Sequence, residues 1–127
     1  MRRRASAFLL PLLGALAAGT VSGTAQAAGP VIPEAFRGHW EEERRFCALP
    51  SDATLTLTAT ALRGWEATGA VTKVEEVGPR AIVITATFDG EGETWTQSER
   101  YELSGDGGTL TTTNEKFTFQ RFRCPKG

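Results

Sequence analysis

The chain has 127 residues, with 14 Lys and Arg, 15 Asp and Glu and one His, and a formal charge of −1 at pH 7. This balance argues against nucleic acid or an anionic membrane as a partner, because both recruit strongly basic surfaces. The length fits one small domain.

The first 27 residues have the pattern of a secretory signal peptide. Residues 2–4 are all arginine, residues 5–18 form an apolar stretch, and Ala25-Gln26-Ala27 is a small-x-small cleavage motif. The apolar stretch falls short of the ~20 residues that a membrane-spanning helix needs. We therefore expect cleavage after Ala27, no membrane anchor, and a periplasmic or secreted protein. The mature domain would be residues 28–127, in which 11 basic residues face 15 acidic ones, for a formal charge of −4.

Residues 35–47, AFRGHWEEERRFC, combine a Gly-x-Trp motif with five consecutive charged residues and a cysteine. The charged run fits a contact surface, a catalytic carboxylate cluster or a piece of scaffold, and we favour scaffold. Residues 41–45 lack strand alternation but contain good helix formers, with Glu41 and Arg45 spaced for an ion pair. We predict a short strand through Trp40, followed by a helical turn or tight loop whose charges face solvent.

The remainder of the chain alternates apolar and polar residues with the period of two that is typical of half-buried strands. The clearest runs are ATLTLTAT at 53–60, AIVITATFD at 81–89, ETWTQSERYEL at 93–103 and KFTFQRFRC at 116–124. Shorter candidates cover 62–67, 70–76 and 109–113, and glycine-rich or proline-containing turns separate the runs. Seven or eight strands in consecutive hairpins predict an all-β antiparallel meander. We expect it to close, or nearly close, into a small barrel, since closure removes exposed edges.

The motif FRGHW, together with an arginine in the last strand, resembles the lipocalin-like (calycin) barrels. The resemblance covers the whole mature chain. It implies that Trp40 packs beneath a final-strand arginine, with Arg121 as the expected partner and Arg123 as the alternative, while Gly38 lets the backbone pass closely. The chain also looks like the small secreted bacterial barrels, including the metalloprotease-inhibitor type. The resemblance implies a fold rather than an activity.

The two cysteines, Cys47 and Cys124, are expected to form one disulfide in an exported domain. A loop of 77 residues corresponds to roughly 4–5 kcal/mol in the chain-entropy treatment. Bridged cysteines need Cα atoms within ~7 Å, whereas a straight strand would carry Cys47 about 23 Å beyond Trp40. The chain must therefore turn back after Trp40.

Signals for catalysis and metal binding are weak. His39 is the single histidine, a disulfide would occupy both thiols, and no G-x-S-x-G motif occurs. The glycines at 90, 92 and 105–108 fit hairpin turns better than a phosphate loop. Carboxylate pairs such as Glu91 and Glu93 are common in acidic proteins. We predict a protein that is not an enzyme and uses no metal or cofactor.

Strand parity suggests that several charged residues share the barrel interior with aromatic ones. The predicted interior set, and the candidate ligand-binding residues, are Glu66, Trp95, Glu99, Tyr101, Arg121 and Arg123. Glu66 joins this set through the parity of Leu62, although a bulge at Gly64 would reverse its placement. The set would form either an ion-pair network, in which each buried charge needs a partner, or the polar end of a small pocket where the arginines meet an anionic group. We favour the network.

These patterns favour a non-catalytic, monomeric binding protein for a small ligand. The alternative partner is an exported protease or other hydrolase that the protein would inhibit, with residues 28–37, AGPVIPEAFR, inserted as an arm into the enzyme's cleft. Two features count against inhibition. The metalloprotease-inhibitor barrels link cysteines that are closer in sequence, and residues 33–36 look like a short turn that plugs the base of the barrel.

Overall fold

The computed structural model describes Gly14 and residues 29–126. The predicted leader, apart from Gly14, and its cleavage site lie outside the described residues. Residues 29–126 form a closed barrel of eight antiparallel strands in sequential order, which confirms the predicted fold class. The strands are β1 (Gly38–Glu41), β2 (Leu55–Leu57), β3 (Ala61–Arg63), β4 (Thr68–Gly78), β5 (Ala81–Gly90), β6 (Glu93–Leu103), β7 (Thr109–Thr113) and β8 (Thr118–Arg123). Two short 3₁₀ turns, Glu34–Phe36 and Arg44–Cys47, flank β1.

The barrel closes through β1, which pairs with β2 on one side and with β8 on the other. Trp40 lies opposite Leu55 in β2 and opposite Arg123 in β8. The first and last strands therefore pair antiparallel, which completes the predicted closure of the barrel. Closure gives the backbone groups of both terminal strands a hydrogen-bonding partner. This removes the exposed strand edges that could pair with another molecule and start aggregation.

Alternation within the strands places apolar residues inside, as β5 shows most clearly. Its inward residues Ile82, Ile84 and Phe88 are buried, whereas Thr85 and Thr87 between them are partly exposed. The threonines bond to hydroxyl groups on β6, with Thr85 Oγ1 2.7 Å from Ser98 Oγ and Thr87 Oγ1 3.2 Å from Thr96 Oγ1. The period of two in the sequence therefore gives the correct face for this strand.

Strands β3 and β4 depart from the predicted boundaries. β3 ends at Arg63, because the next residues form a turn in which the Gly64 amide donates to the Ala67 carbonyl at 2.8 Å. β4 contains a register shift between Val71 and Lys73. As a result, Val71 and Val74 both pack against the core, although strict alternation would place them on opposite faces.

One end of the barrel is filled by the segment that precedes β1. Ile32 and Phe36 from this segment are buried. The Ile32 amide donates to the Ala59 carbonyl at 2.8 Å, and Trp40 Nε1 donates to the Phe36 carbonyl at 3.0 Å. The short turn predicted at 33–36 is thus a 3₁₀ turn that seals this end, which we call the base.

Arg123, not Arg121, packs on Trp40. Its guanidinium carbon lies 4.2 Å from the centre of the Trp40 ring. Gly38 has a φ of 133°, and a Cβ atom there would lie 3.1 Å from Arg123 Nη1, so both its conformation and its close contact favour glycine. Arg121 was expected in this position, but the register of β8 against β1 pairs Trp40 with Arg123. Arg121 pairs with Leu110 of β7 and lies two residues nearer the other end of the barrel.

The chain turns back after β1, as predicted, and Cys47 is bonded to Cys124 with Cα atoms 5.5 Å apart. The expected ion pair between Glu41 and Arg45 is absent from the salt bridges of residues 29–126; Arg45 Nε instead contacts Glu43 Oε2 at 2.8 Å. The i,i+4 spacing of a helix does not apply to Glu41 and Arg45, because β1 continues through Glu41 and the 3₁₀ turn begins only at Arg44.

The charges of residues 41–45 were expected to face solvent, but Glu41 is fully buried. Alternation places it on the face of β1 opposite to Trp40. Its carboxylate accepts hydrogen bonds from Ser51 Oγ at 3.1 Å and Thr54 Oγ1 at 2.6 Å, and His39 Nε2 lies 2.5 Å from Oε2. The carboxylate therefore fixes the returning segment against β1, which supports the scaffold interpretation.

Candidate ligand-binding cavity

The end of the barrel opposite the base contains a cavity of about 640 Å³. It lies between the inward faces of several strands and the loops at residues 64–67 and 91–92. Its volume falls within the ~300–1,000 Å³ that is usual for small-molecule sites. Leu55 and Leu62, both buried, form part of its apolar wall.

Aromatic rings form much of the remaining wall. Phe88 and Trp95 are stacked, with ring centres 5.6 Å apart and an interplanar angle of 10°. Gly69 makes room for this stack, because a Cβ atom there would lie 2.7 Å from Phe88 Cε1. Trp65 and Phe117 lie at the mouth, where they are 57% and 50% exposed. These two rings are large apolar surfaces open to solvent beside the cavity.

Strand β6 presents a chain of hydrogen bonds along its inward face. Trp95 Nε1 donates to Gln97 Oε1 at 2.9 Å, and Gln97 Nε2 donates to Glu99 Oε1 at 2.8 Å. Tyr101 donates to the same oxygen at 3.3 Å, while Asn114 Nδ2 donates to Glu99 Oε2 at 2.9 Å. Burial raises the pKa of Tyr101 and the charge of Glu99 raises it further, so the phenol stays protonated and acts as a donor. The expected grouping of Trp95, Glu99 and Tyr101 on one inward face is observed.

Arg121 also lines the cavity, but protein groups already engage it. Its Nε donates to the Ala53 carbonyl at 2.8 Å and its Nη1 donates to Thr112 Oγ1 at 3.3 Å. The guanidinium lies over the Phe119 ring, 4.7 Å from its centre. Burial lowers the pKa of Arg121, although nearby groups that include Glu99 oppose this shift.

The ion-pair network that we favoured from the sequence does not form. Within the described part of the chain, neither Arg121 nor Arg123 takes part in a salt bridge. Arg123 lies at the base, where it donates to the carbonyls of Ala35, Arg37 and Gly107. Strand parity correctly placed both arginines on the same face. It did not show that Arg121 lies at the cavity and Arg123 at the base.

Glu66 is exposed at the mouth and not inside. The turn after Arg63 ends strand parity, so the inference from Leu62 fails at this residue. A hydrogen bond with Glu91 and the repulsion of its charge raise the pKa of Glu66, and the charge of Asp52 adds to this shift. Glu66 therefore belongs to an acidic rim rather than to an interior pair with an arginine.

The cavity is lined by five carboxylates and one guanidinium. The carboxylates are Asp52, Glu66, Glu91, Glu93 and Glu99, and the guanidinium belongs to Arg121. Gln97 has the inward parity of Trp95 and Glu99, so the sequence alone places it on this face, although it was not among the candidate ligand-binding residues. Asp52, Glu91 and Glu93 were not expected in the site. Parity with Trp95 was a usable signal for Glu93, whereas Asp52 and Glu91 lie in loops that carry no such signal.

No family model, curated protein or solved structure matches the chain. The closed eight-stranded meander is compatible with a lipocalin-like barrel. Across residues 29–126, no three His, Cys, Asp or Glu side chains are grouped to hold a metal ion. The same residues contain no helix with the length and apolar character required to cross a bilayer.

Proposed function

We propose that the protein is a non-catalytic binding protein that holds a small organic ligand inside the barrel. The observation that carries this proposal is the cavity of about 640 Å³ at one end of a barrel whose base is sealed. Aromatic and aliphatic walls provide apolar contact, and a small number of fixed polar groups on β6 provide orientation. This combination is typical of small-molecule sites.

The position of the single histidine also supports a binding role over a catalytic one. His39 does not line the cavity; its ring contacts Glu41 beneath the segment that returns after β1. The carboxylate of Glu41 is engaged at the same time by Ser51 and Thr54. This group of residues thus stabilises the fold and is not directed at a bound substrate.

Binding in the cavity can be tested with an uncharged fluorescent dye, N-phenyl-1-naphthylamine, and a substitution that fills the cavity. Gln97 faces the cavity, while its neighbour Thr96 faces outward and is exposed. Gln97→Phe should weaken dye binding by about tenfold or more, because the added ring occupies the ligand volume. Thr96→Phe adds the same ring to the outer surface and should bind the dye as the wild type does. Equal dye affinity in wild type and Gln97→Phe would show that the dye does not bind in the cavity.

The alternative, inhibition of an exported hydrolase by an arm at residues 28–37, gains no support from the position of this segment. Ile32 and Phe36 are buried against the barrel, and Arg37 Nε donates to the Ile32 carbonyl at 2.7 Å. Hydrogen exchange separates the two roles. A plug protects the amides of Ile32, Phe36 and Arg37, all of which donate to backbone carbonyls, whereas a free arm exchanges them rapidly.

We also propose that the protein acts as a monomer outside the cytoplasm. The Cys47–Cys124 disulfide supports export, since structural disulfides persist in oxidising compartments. Mass measurement of the exported protein should give Ala28 as the first residue, and an exported product that retains Met1 would contradict the predicted processing. Light scattering across a range of protein concentrations gives the molar mass and so tests whether the protein is a monomer.

A further inference from the structure

We propose that the cavity selects a small organic amine, with its apolar body among the aromatic walls and its charged group at the mouth. This inference rests on the proposed function, because it names the class of ligand that the same cavity takes. It differs from the anionic ligand that the two late arginines suggested in the sequence.

The charges around the cavity favour a cation. Five carboxylates face one guanidinium, which gives a formal charge of −4 for the lining when all are ionised. The guanidinium of Arg121 already has a backbone carbonyl, a hydroxyl and an aromatic ring as partners. By contrast, none of the salt bridges within residues 29–126 involves Asp52, Glu66, Glu91 or Glu93.

The interior carboxylate is not the group that would receive the cation. Glu99 accepts hydrogen bonds from Gln97, Tyr101 and Asn114. These three donors offset the cost of holding the carboxylate away from water. The acidic groups that remain open are those at the mouth, which orients an amine with its charge outward and its body inward.

Two exposed rings at the mouth provide a second attraction for an ammonium group. Trp65 and Phe117 line the cavity and are about half exposed. A cation over the face of an aromatic ring within about 6 Å gains roughly 0.5–2 kcal/mol, and tryptophan is the best such partner. The exposed indole and phenyl rings offer apolar contact, and the carboxylates at the mouth offer negative charge. An organic ammonium group can use both.

Glu66 and Glu91 both line the mouth and interact with each other. A hydrogen bond with Glu91, together with the repulsion between the two negative charges, favours the protonated form of Glu66 and so raises its pKa. An ammonium group placed beside the pair relieves this repulsion. Binding of an amine should therefore be accompanied by loss of a proton from Glu66 at pH values near its pKa.

The test uses three probes that share a phenyl group and differ in charge: phenethylamine, 2-phenylethanol and 3-phenylpropionate. Each is used to displace the uncharged dye from the wild-type protein. We expect phenethylamine to bind at least tenfold more tightly than 3-phenylpropionate, with the alcohol between them. The preference for the amine should shrink as salt is added, because the carboxylates at the mouth are exposed and screened.

A pair of double variants locates the effect. Glu66→Gln with Glu91→Gln removes two charges at the mouth, and Glu75→Gln with Glu76→Gln removes two exposed charges on β4 outside the cavity lining. The first should weaken phenethylamine by about fivefold to tenfold, consistent with two screened ion pairs, and leave the alcohol unchanged. The second should leave all three affinities unchanged.

The outcomes separate this inference from the proposed function. If the dye does not bind, or binds Gln97→Phe as well as the wild type, the proposed function fails and the inference fails with it. If the dye binds in the cavity but the amine binds no better than the alcohol or the anion, the proposed function stands and the inference is overturned. Equal loss of amine affinity in both double variants also overturns it, since total charge rather than the mouth would then be responsible.

Discussion

Substitution of Arg123 by methionine tests how the base of the barrel is held together. The side chain packs over Trp40 and donates three hydrogen bonds to the carbonyls of Ala35, Arg37 and Gly107. These bonds join the last strand to the segment before β1 and to the hairpin between β6 and β7. Methionine preserves most of the aliphatic stem, so the variant removes the guanidinium without opening a large hole.

The expected cost of Arg123→Met is about 4 kcal/mol. Three hydrogen bonds at about 1 kcal/mol each account for most of it, with partial exposure keeping them at the low end for a charged donor. Loss of the contact with the indole ring of Trp40 adds roughly 0.5–1 kcal/mol. For a domain of this size, such a change lowers Tm by roughly 15–30 °C.

Urea denaturation followed by circular dichroism gives the free energy of unfolding, and Arg121→Met is the matched control. Arg121 makes two hydrogen bonds, packs on the Phe119 ring and faces the cavity, so its replacement should cost about 2.5–3 kcal/mol by the same accounting. If Arg123→Met unfolds within 1 kcal/mol of the wild type, or if Arg121→Met costs more, the assignment of Arg123 to the base is wrong.

Three further predictions concern stability. Trp40→Ala should cost about 3–5 kcal/mol because a fully buried indole is removed; unchanged thermal unfolding would refute its place in the core. Replacement of both Cys47 and Cys124 by alanine should cost up to about 4–5 kcal/mol, and a non-reducing digest of the wild type should yield one linked peptide pair. Glu66→Gln should raise Tm slightly at pH 7, because the raised pKa of Glu66 beside Glu91 means that ionisation destabilises the folded state. This penalty is absent well below the ordinary value of 4.5 and is complete once the pH exceeds the raised pKa; a lower Tm of the variant at pH 7, or the same gain at pH 3 as at pH 7, would contradict this reasoning.

The local sequence pattern was sufficient to predict the long strands and the disulfide. In β5 and β6 the alternation continues without a break, so parity assigned Ile84 and Tyr101 to the interior correctly. The disulfide followed from two cysteines in a chain expected to be exported, and the turn after β1 followed from the disulfide. Each of these inferences needs only neighbouring residues or a simple distance limit.

Errors arose where a long-range partner decides the position of a residue. Arg121 and Arg123 have the same parity, and only the register of β8 against β1 shows which one meets Trp40. The burial of Glu41 depends on hydroxyl groups that arrive more than nine residues later in the chain. The acidic mouth joins residues from separate loops, so no single segment of sequence reveals its charge.

The pairing that closes the barrel is one of the two shortest in the wall, since β2 and β3 also share only two residue pairs. β5 and β6 share ten residue pairs, whereas β1 and β8 share two. Local opening should involve both the β2–β3 pairing and the β1–β8 seam, since few backbone hydrogen bonds hold either of them. The Cys47–Cys124 bond crosses the β1–β8 seam, because the Cys124 amide donates to His39 in β1 at 2.8 Å. Reduction would thus lower the free energy of opening the seam more than that of melting the β5–β6 hairpin, so that in a reducing compartment the barrel would open at its base before that hairpin melts.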